Sequence, residues 1–372
     1  MEFTSSKADL LASVLVVSRA VPASTVEPML LNVLLDLDNG QLTLRTTDGR
    51  ISLRHRQPVE EKVPGRLAVL GHLLLEILQG IQSSRSDQVT FASTPENRVV
   101  LSSADAVYNI AGFPAENFPM LPEIEALTRT ALPGGLLKEM VRKTTVVSSG
   151  GGGGPHTYEE VLMESRSGEL SFVATDSVRL AILTNKLEKA LPDFHSLVPS
   201  HALVELGRLL KPDQEVEITL AEDQAAFVFG ATEMRTRLSD KTFPNFRAIL
   251  PKVQSRNLVL RTREFQDNLR GVIPLAKDTK HKVFLDFQRE RVIITSTSPE
   301  HGEARREVEA SLTGEPIRLA FNGKYLLDFL SVVDTESFKW GVSSASYPAT
   351  LTPDSEGSGY TYVLMPITQK ET

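Results

Sequence analysis

The chain has 372 residues, 41% of them hydrophobic and 23% charged, with a formal net charge of −7, enough for two or three soluble domains that each bury a core. It contains no cysteine, which excludes a disulfide framework and any cysteine-ligated metal; it has no apolar run of roughly 18 residues that could span a membrane as a helix and no basic-then-apolar signal pattern, so a cytosolic protein is expected. The acidic balance argues against a chain that grips nucleic acid over its whole surface, while leaving room for a locally basic face.

Leu10, Leu11, Val14, Leu15 and Val17 or Ser18 fall at helical spacing, which predicts an amphipathic helix over 7–21. Residues 30–37 and 41–53 read as a hairpin around Asp38-Asn39-Gly40, because Asn-Gly favours a type I′ turn. Asp36-x-Asp38 resembles the start of a calcium loop, but the glycine and distal glutamate are out of place. A second helix is predicted over 67–81, carrying the string His72-Leu-Leu-Leu-Glu76-Ile-Leu78, and strands over 88–92, 98–102 and 107–111 follow it. Phe113-Pro-Ala-Glu-Asn-Phe118-Pro119-Met-Leu-Pro122 closes this stretch.

The same order then recurs. A helix is predicted over 133–147, with Leu136, Leu137, Met140 and Val141 on one face. Gly150 to Gly154 follow it; no Lys-Ser/Thr pair comes after them and Pro155 stops a helix start, so they read as a flexible loop and not as a phosphate cradle. Leu170-Ser-Phe-Val-Ala-Thr-Asp-Ser-Val-Arg-Leu-Ala-Ile182 reads as two strands meeting at a Thr175-Asp176-Ser177 turn, since apolar and polar residues alternate and Asp and Ser suit the turn. A helix over 199–211 carries His201-Ala-Leu-Val-Glu205-Leu206, and Phe243-Pro-Asn-Phe246-Arg-Ala-Ile249-Leu-Pro251 closes the middle third. The last third has a helix over 263–275, the turn Ser298-Pro-Glu, a helix carrying Lys324-Tyr-Leu-Leu-Asp328-Phe-Leu330, and the ending Tyr360-Thr-Tyr-Val363-Leu-Met365-Pro366-Ile367.

Three markers share one period. The turns at 48, 176 and 298 are 128 and 122 apart; the acidic helix residues Glu76, Glu205 and Asp328 are 129 and 123 apart; the closing prolines Pro119, Pro244 and Pro366 are 125 and 122 apart. One supersecondary unit used three times accounts for all of them. The expected domains are therefore 1–125, 126–251 and 252–372, each α+β with antiparallel sheets. A row of three such units leaves unpaired strands at its two ends, and head-to-tail pairing of two identical chains removes both edges, so a closed ring of six units is expected.

Jointly, Val173-Ala-Thr-Asp-Ser-Val-Arg-Leu-Ala181, Phe243-Pro-Asn-Phe-Arg-Ala-Ile-Leu-Pro251, Phe321-Asn-Gly-Lys-Tyr-Leu-Leu-Asp-Phe-Leu330 and Val363-Leu-Met-Pro366 resemble, over essentially the whole chain, the bacterial DNA polymerase III β subunit, the sliding clamp family. The resemblance implies three repeated DNA-clamp domains per chain, antiparallel sheets outside and helices lining a ring. It implies a non-catalytic homodimer, cytoplasmic and nucleoid-associated, with no cofactor and no metal. Such a ring encircles double-stranded DNA without sequence preference and tethers the polymerase III α subunit, the clamp loader, other polymerases and mismatch-repair proteins through short apolar peptide motifs.

By motif, the resemblance carries a partner-peptide pocket onto Thr175, Ser177, Val178, Arg179, Leu180, Pro244, Ala248, Ile249, Val363, Met365, Pro366 and Ile367, and by offset onto Tyr158 and Ser346. Leu180, Ile249, Val363 and Met365 suit an apolar cleft, with methionine adapting to varied ligands, and Arg179 suits a donor to a peptide carbonyl or carboxylate. Ordinary core and turn residues are the alternative reading of the same positions. Ser177-Val178 stands where the family often has Gly-His, and Ala248 where it often has a basic residue. DNA-facing candidates are Arg66, Lys138, Arg142, Lys143, Arg208, Arg263, Arg270 and Lys324, read as helix positions, with His156 in the glycine-rich loop; the competing reading is a solvated helix face with acidic neighbours Glu139, Glu205 and Asp267. Dimer contacts fall on Tyr108 and Ile110 against Pro274 and Leu275, with Asp105 facing Arg305 or Arg306. Ser24 sits where the family often has arginine.

Two rival functions compete with this reading. Catalysis rests on Asp176 beside Arg179 and on seven histidines (55, 72, 156, 195, 201, 281, 301), which show no metal spacing and no nucleophile motif. A repeat scaffold that binds peptides without encircling DNA is the second rival.

Overall fold

A computed structural model describes residues 1–81, 87–104, 106–119, 124–148, 158–187 and 190–368. The chain forms two compact units, Met1–Leu137 with Glu205–Leu238, and Lys138–Val204 with Ser239–Thr372. Six α-helices lie among the described residues: α1 Lys7–Val17, α2 Gly71–Gly80, α3 Gly134–Ser148, α4 Ser200–Leu209, α5 Thr262–Val272 and α6 Gly323–Val332. They come two per third, as the repeat requires, and everything else of regular structure is antiparallel strand or 3-10 turn.

The first unit is built on one thirteen-stranded sheet. Within it, Gly65–Leu70, Asn32–Asp38, Gln41–Thr47 and Ile51–Pro58 from the first third lie side by side. They continue without a break into Thr232–Arg237, Gln224–Phe229, Glu215–Leu220 and Thr128–Pro133 from the middle third. The nine-stranded sheet of the second unit repeats that arrangement one third later. Phe194–Pro199, Glu160–Arg166, Glu169–Thr175 and Arg179–Lys186 continue into Tyr360–Leu364, Ala349–Pro353, Ser337–Val342 and Arg256–Arg261. Each junction between thirds is thus an eight-strand run, half from each side.

Val107–Phe113, Arg98–Ser102, Gln88–Ser93, Glu2–Ser6 and Glu60–Val63 complete the first sheet, and Ser311–Thr313 completes the nine-stranded one; Val107–Phe113 meets Gly65–Leu70 only through Ala68 and Val69. Gly302–Glu309, Arg291–Ser298, Lys282–Phe287 and Ile317–Asn322 form a separate four-stranded sheet with Gly302–Glu309 at its edge.

The repeated turn has one chemical cause. The Asp48 carboxylate accepts from the backbone N–H of Arg50 (2.8 Å) and Ile51 (2.7 Å). The Asp176 carboxylate accepts from Val178 (3.0 Å) and Arg179 (2.9 Å). The Ser298 hydroxyl takes the same two places, accepting from Glu300 (3.3 Å) and His301 (3.2 Å). A short side-chain oxygen that mimics a backbone carbonyl is what the position demands. The reversal itself needs a left-handed residue, Gly49 (φ 85°) in the first third and Ser177 (φ 74°) in the middle one.

The predicted helix over 67–81 is corrected: Gly65–Leu70 is a strand paired with Asn32–Asp38, and α2 starts only at Gly71. Leu67, Ala68 and Val69 are all fully buried, and a short apolar run covered on both faces carries no period that separates strand from helix. The predicted helices over 7–21 and 263–275 stop at Val17 and Val272 and tighten into the 3-10 turns Ser18–Ala20 and Ile273–Thr279, the second of which carries Pro274 as its second residue, whose ring removes a backbone donor. The hairpin at Asn39-Gly40 stands as expected, with both residues at positive φ (52° and 72°).

In the second unit, α5 and α6 cover a core of stacked aromatics. Trp340, fully buried, meets Phe265, Phe287 and Phe321 edge-on or tilted at 5.3 to 5.6 Å between ring centres. Such geometry adds to the burial of large apolar area. Helix α6 is started by the Asn322 side chain, which accepts from the N–H of Lys324 (2.9 Å).

A candidate partner-binding cleft

At the junction in the second unit, strand Arg179–Lys186 pairs with Tyr360–Leu364, placing Leu180 opposite Val363 and Arg179 opposite Leu364. The ladder runs on past the strand end: Met365 N–H donates to Val178 O at 3.0 Å. The 3-10 turn Phe246–Ala248 folds over the same face. Between these elements lies a cleft of about 190 Å³, lined by Tyr158, Thr175, Ser177, Val178, Arg179, Leu180, Pro244, Ile249, Val363 and Met365. Its floor is a buried cluster of Leu162, Val173, Leu180, Ile182, Leu197, Phe246 and Val363. On the rim, Val178 and Ile249 leave 44% and 47% of their surface in solvent. Tyr158 stacks obliquely on Phe243, 6.1 Å between centres, as one wall. An apolar floor, two exposed aliphatics and an adaptable methionine make a receptor for an apolar segment.

Of the residues carried across from the resemblance, Ala248, Ser346, Pro366 and Ile367 do not line this cleft. Ala248 is exposed one residue from Ile249, and Pro366 is buried behind Met365. The N–H of Ile367 is taken by Ala320 O at 2.7 Å. Ser346 is exposed and lies 3.3 Å from the Ser344 hydroxyl.

The expected role of Arg179 as a donor to a ligand is also corrected. It is among the residues lining the cleft, but its side chain is entirely buried. It donates to Asp176 (2.8 Å), Asp328 (2.5 Å), Tyr362 Oη (3.1 Å) and the carbonyls of Val146 and Val147 (both 3.3 Å), and lies 4.0 Å over the Tyr325 ring. Burial works against its charge, yet the Tyr362 oxygen and the two carboxylates outweigh it and raise its pKa. A buried guanidinium needs such partners, and none of its donors is left over for a peptide. Tyr325, Asp328 and Tyr362 were not singled out as site residues; the signal that could have found Asp328 was its place in the threefold acidic series.

Three family models tile the chain: the N-terminal domain of the DNA polymerase III beta subunit matches residues 1–122, the central domain 131–245 and the C-terminal domain 247–368. The chain belongs to the DNA polymerase III beta subunit family. A Beta sliding clamp from Halalkalibacterium halodurans is 28% identical over 355 residues, covering 91% of this chain and 92% of that one. The crystal structure of the DNA polymerase III subunit beta from Pseudomonas aeruginosa shares 25% identity at a TM-score of 0.92, covering 99% of this chain and all of the other. The sliding clamp of Bacillus subtilis matches over the full length of both chains, at 25% identity and a TM-score of 0.92. The clamp family is one of non-catalytic processivity subunits built from three α+β domains.

The clamp's expected DNA-facing cations fall into distinct settings. Arg66 is exposed but sits on the strand Gly65–Leu70, not on a helix, and binds Asp36 at 2.9 Å. Lys143 is buried, bound to Glu139 at 2.6 Å with its ammonium 5.7 Å over the Tyr360 ring, which removes it from any surface. Arg142 pairs with Asp334 at 2.5 Å, Arg208 with Glu205, and Arg270 approaches Asp267 at 3.8 Å. Lys138 is half-buried, and Arg263 and Lys324 are exposed. His156, Thr157, Gly150 to Gly154 and Asp105 lie outside the described residues. Tyr108 and Ile110 share the better-covered face of Val107–Phe113, Pro274 is exposed and Leu275 half-buried in the turn Ile273–Thr279.

Proposed function

We propose that two copies of this clamp-family chain close head to tail into a ring of six domains (1–125, 126–251 and 252–372 in each) that encircles duplex DNA in the cytoplasm. The cleft then tethers the polymerase III α subunit, the clamp loader, other polymerases and mismatch-repair proteins through short apolar peptides. One observation carries the ring: both junctions inside the chain are eight-strand runs, and of the two strands that would make a third, Gly302–Glu309 is an edge and Val107–Phe113 is paired to Gly65–Leu70 only at Gly112 and Phe113, leaving the rest of that side of the strand open. Val-Tyr-Asn-Ile-Ala-Gly-Phe is uncharged, whereas Gly302–Glu309 carries Glu303, Arg305, Arg306, Glu307 and Glu309. Charges on an edge strand discourage promiscuous pairing while permitting one specific partner. Each seam is head to tail, Val107–Phe113 of one copy against Gly302–Glu309 of the other, and the rotation closes after two copies.

Contacts to DNA are assigned to Lys138, Arg142, Arg208, Arg263, Arg270 and Lys324, with Arg66 on its strand and His156 in the glycine-rich loop. Several of these already hold carboxylates, which suits weak, salt-sensitive contact with phosphates and no base readout. The deciding experiment loads the protein onto nicked circular DNA and then linearises it. Retention on circles with release from free ends is the expected result. Loss that follows salt alone, without regard to topology, describes an ordinary DNA binder and overturns the ring; absence of retention on either substrate leaves the peptide scaffold.

A further inference from the structure

Strand Lys282–Phe287 turns two faces in opposite directions. Val283, Leu285 and Phe287 are fully buried, and Phe287 meets Trp340 in the core under α5 and α6. Lys282, Phe284 and Asp286 therefore point away from those helices. The apolar cleft lies on that same side, because Tyr362 points to Phe329 of α6 and its neighbour Val363 turns the other way, into the cleft floor. The adjoining strand, Ile317–Asn322, sets Ala320 beside Phe284 and Arg318 beside Asp286. Ala320 O in turn accepts the Ile367 N–H at 2.7 Å, two residues past Met365 of the cleft. Two strand spacings and two residues of rise separate Phe284 from Met365, about 12 Å. About four residues of extended peptide cover that span.

Three side chains make a patch there. The Lys282 ammonium lies 5.1 Å and the Arg318 guanidinium 5.0 Å from the centre of the Phe284 ring. Arg318 is exposed, and Lys282 and Phe284 are half-buried. Among the described residues neither cation holds a carboxylate or a hydrogen-bond acceptor; the ring is their one partner. Asp286, which faces Arg318 across the two strands, accepts from Gln288 Nε2 at 3.1 Å and makes no ion pair with Arg318. With Asp286 counted, these side chains keep one positive charge. Two cations drawn to one aromatic ring have already lost part of their freedom, so an anion that joins them costs less ordering.

We propose that Lys282 and Arg318 receive an acidic stretch of the same peptide whose apolar part fills the cleft, about four residues away along that peptide. Two facts select this occupant. Charge complementarity calls for an anion, and the patch is continuous with the cleft through Ile367 and Ala320. The inference rests on the cleft's reading as a peptide receptor and adds the charge of the partner to it. Guanidinium and ammonium bind carboxylates through charge-assisted hydrogen bonds, and the Phe284 ring holds both groups on the wall beside the cleft.

Four peptides test this with the full-length protein: acetyl-Leu-Val-Leu-Ser-Gly-Gly-Asp-Glu-Asp-amide, acetyl-Asp-Glu-Asp-Gly-Gly-Ser-Leu-Val-Leu-amide, and the Asn/Gln versions of both. One acidic peptide, according to the direction in which the chain runs through the cleft, is expected to bind about fivefold tighter than its neutral counterpart. The gain is expected to fade as salt rises. Lys282→Gln with Arg318→Gln removes the gain and leaves the affinity of the neutral peptide unchanged, which also shows that the variant is folded. Asp286→Asn raises the charge of the patch and enlarges the gain, an effect that misfolding cannot imitate. No gain for either acidic peptide, a gain that survives in the double variant, or a gain lost in Asp286→Asn overturns the proposal while the cleft keeps its peptide. Failure of all four peptides to bind at millimolar concentration overturns the cleft reading and the proposal together. Binding of an oligothymidylate that the double variant abolishes, with no gain from the acidic flank, assigns the patch to nucleic acid and likewise overturns it.

Discussion

The Arg179 guanidinium lies 2.5 Å from Asp328 Oδ2, tying the turn of the middle third to helix α6 of the last. The first unit contains a parallel link, Arg19 to Glu205 of α4 at 3.2 Å, and Glu205 and Asp328 are members of the same threefold series. The two links are unequal. Arg19 is 41% exposed, whereas the Arg179 side chain is wholly buried, and exposed pairs contribute little.

Replacing Arg179 with methionine strands Asp176, which is 3% exposed, together with Asp328 and the Tyr362 hydroxyl. Removing one member of a buried ionic set costs about 3–5 kcal/mol, so Arg179→Met is expected to lower stability by that amount in denaturant unfolding. Arg179→Lys is expected to recover only part of it, because a single ammonium cannot fork between two carboxylates and a ring face. Full recovery by lysine would mean that charge alone matters. Arg19→Ala is expected to change stability by less than about 1 kcal/mol.

Ser177 sits at φ 74° where the equivalent turn of the first third has Gly49 at 85°. Left-handed backbone costs a non-glycine residue about 1–2 kcal/mol, partly offset by the freedom glycine has when unfolded. Ser177→Gly is therefore expected to stabilise the protein by about 0.5–1 kcal/mol. A loss of stability would show that the serine side chain contributes more than the strain removes.

Ile249 is half in solvent on the rim of the apolar cleft. Truncating it to serine is expected to leave the unfolding midpoint unchanged and to weaken an apolar partner peptide by about tenfold, read by fluorescence anisotropy. Unchanged peptide affinity would remove Ile249 from the binding surface.

Ile110 and Leu275 carry the proposed contact between copies. Ile110→Asp with Leu275→Asp places charges where the strand edge must close, and sedimentation is expected to show monomers. An unchanged dimer would move the interface elsewhere.

His55 contributes a pH dependence. Burial lowers its pKa below the ordinary 6.5, and its Nδ1 lies 2.8 Å from Thr232 Oγ1. The unfolded chain therefore takes up the proton first as pH falls, so stability declines from about pH 7 down through the folded-state pKa. Thermal melts of the wild type are expected to lose more between about pH 7.5 and pH 5.5 than those of His55→Gln. Identical losses would show that His55 is not the source.

Much of this was legible in the residues themselves. The turn series 48, 176 and 298 is one hydrogen-bonding scheme in the fold, because it depends on a short side-chain oxygen that any sequence must supply locally. Strand Arg98–Ser102 and the Asn39-Gly40 hairpin followed from alternation and turn chemistry. The strand Gly65–Leu70 did not, since its apolar run is buried from both sides and carries no period. The burial of Lys143 and the partners of Arg179 were equally hidden: both depend on Tyr360, Tyr362 and Asp328, residues that come near only after the sheet of one third has joined the next.

Because each junction is an eight-strand lattice contributed half and half, each repeat completes its sheets only with strands of its neighbour. Excising residues 126–251 would strip four strands from each of two sheets at once. Circular permutants opened at the ends of such a third should consequently survive better than the third expressed alone, since they keep every strand of both lattices.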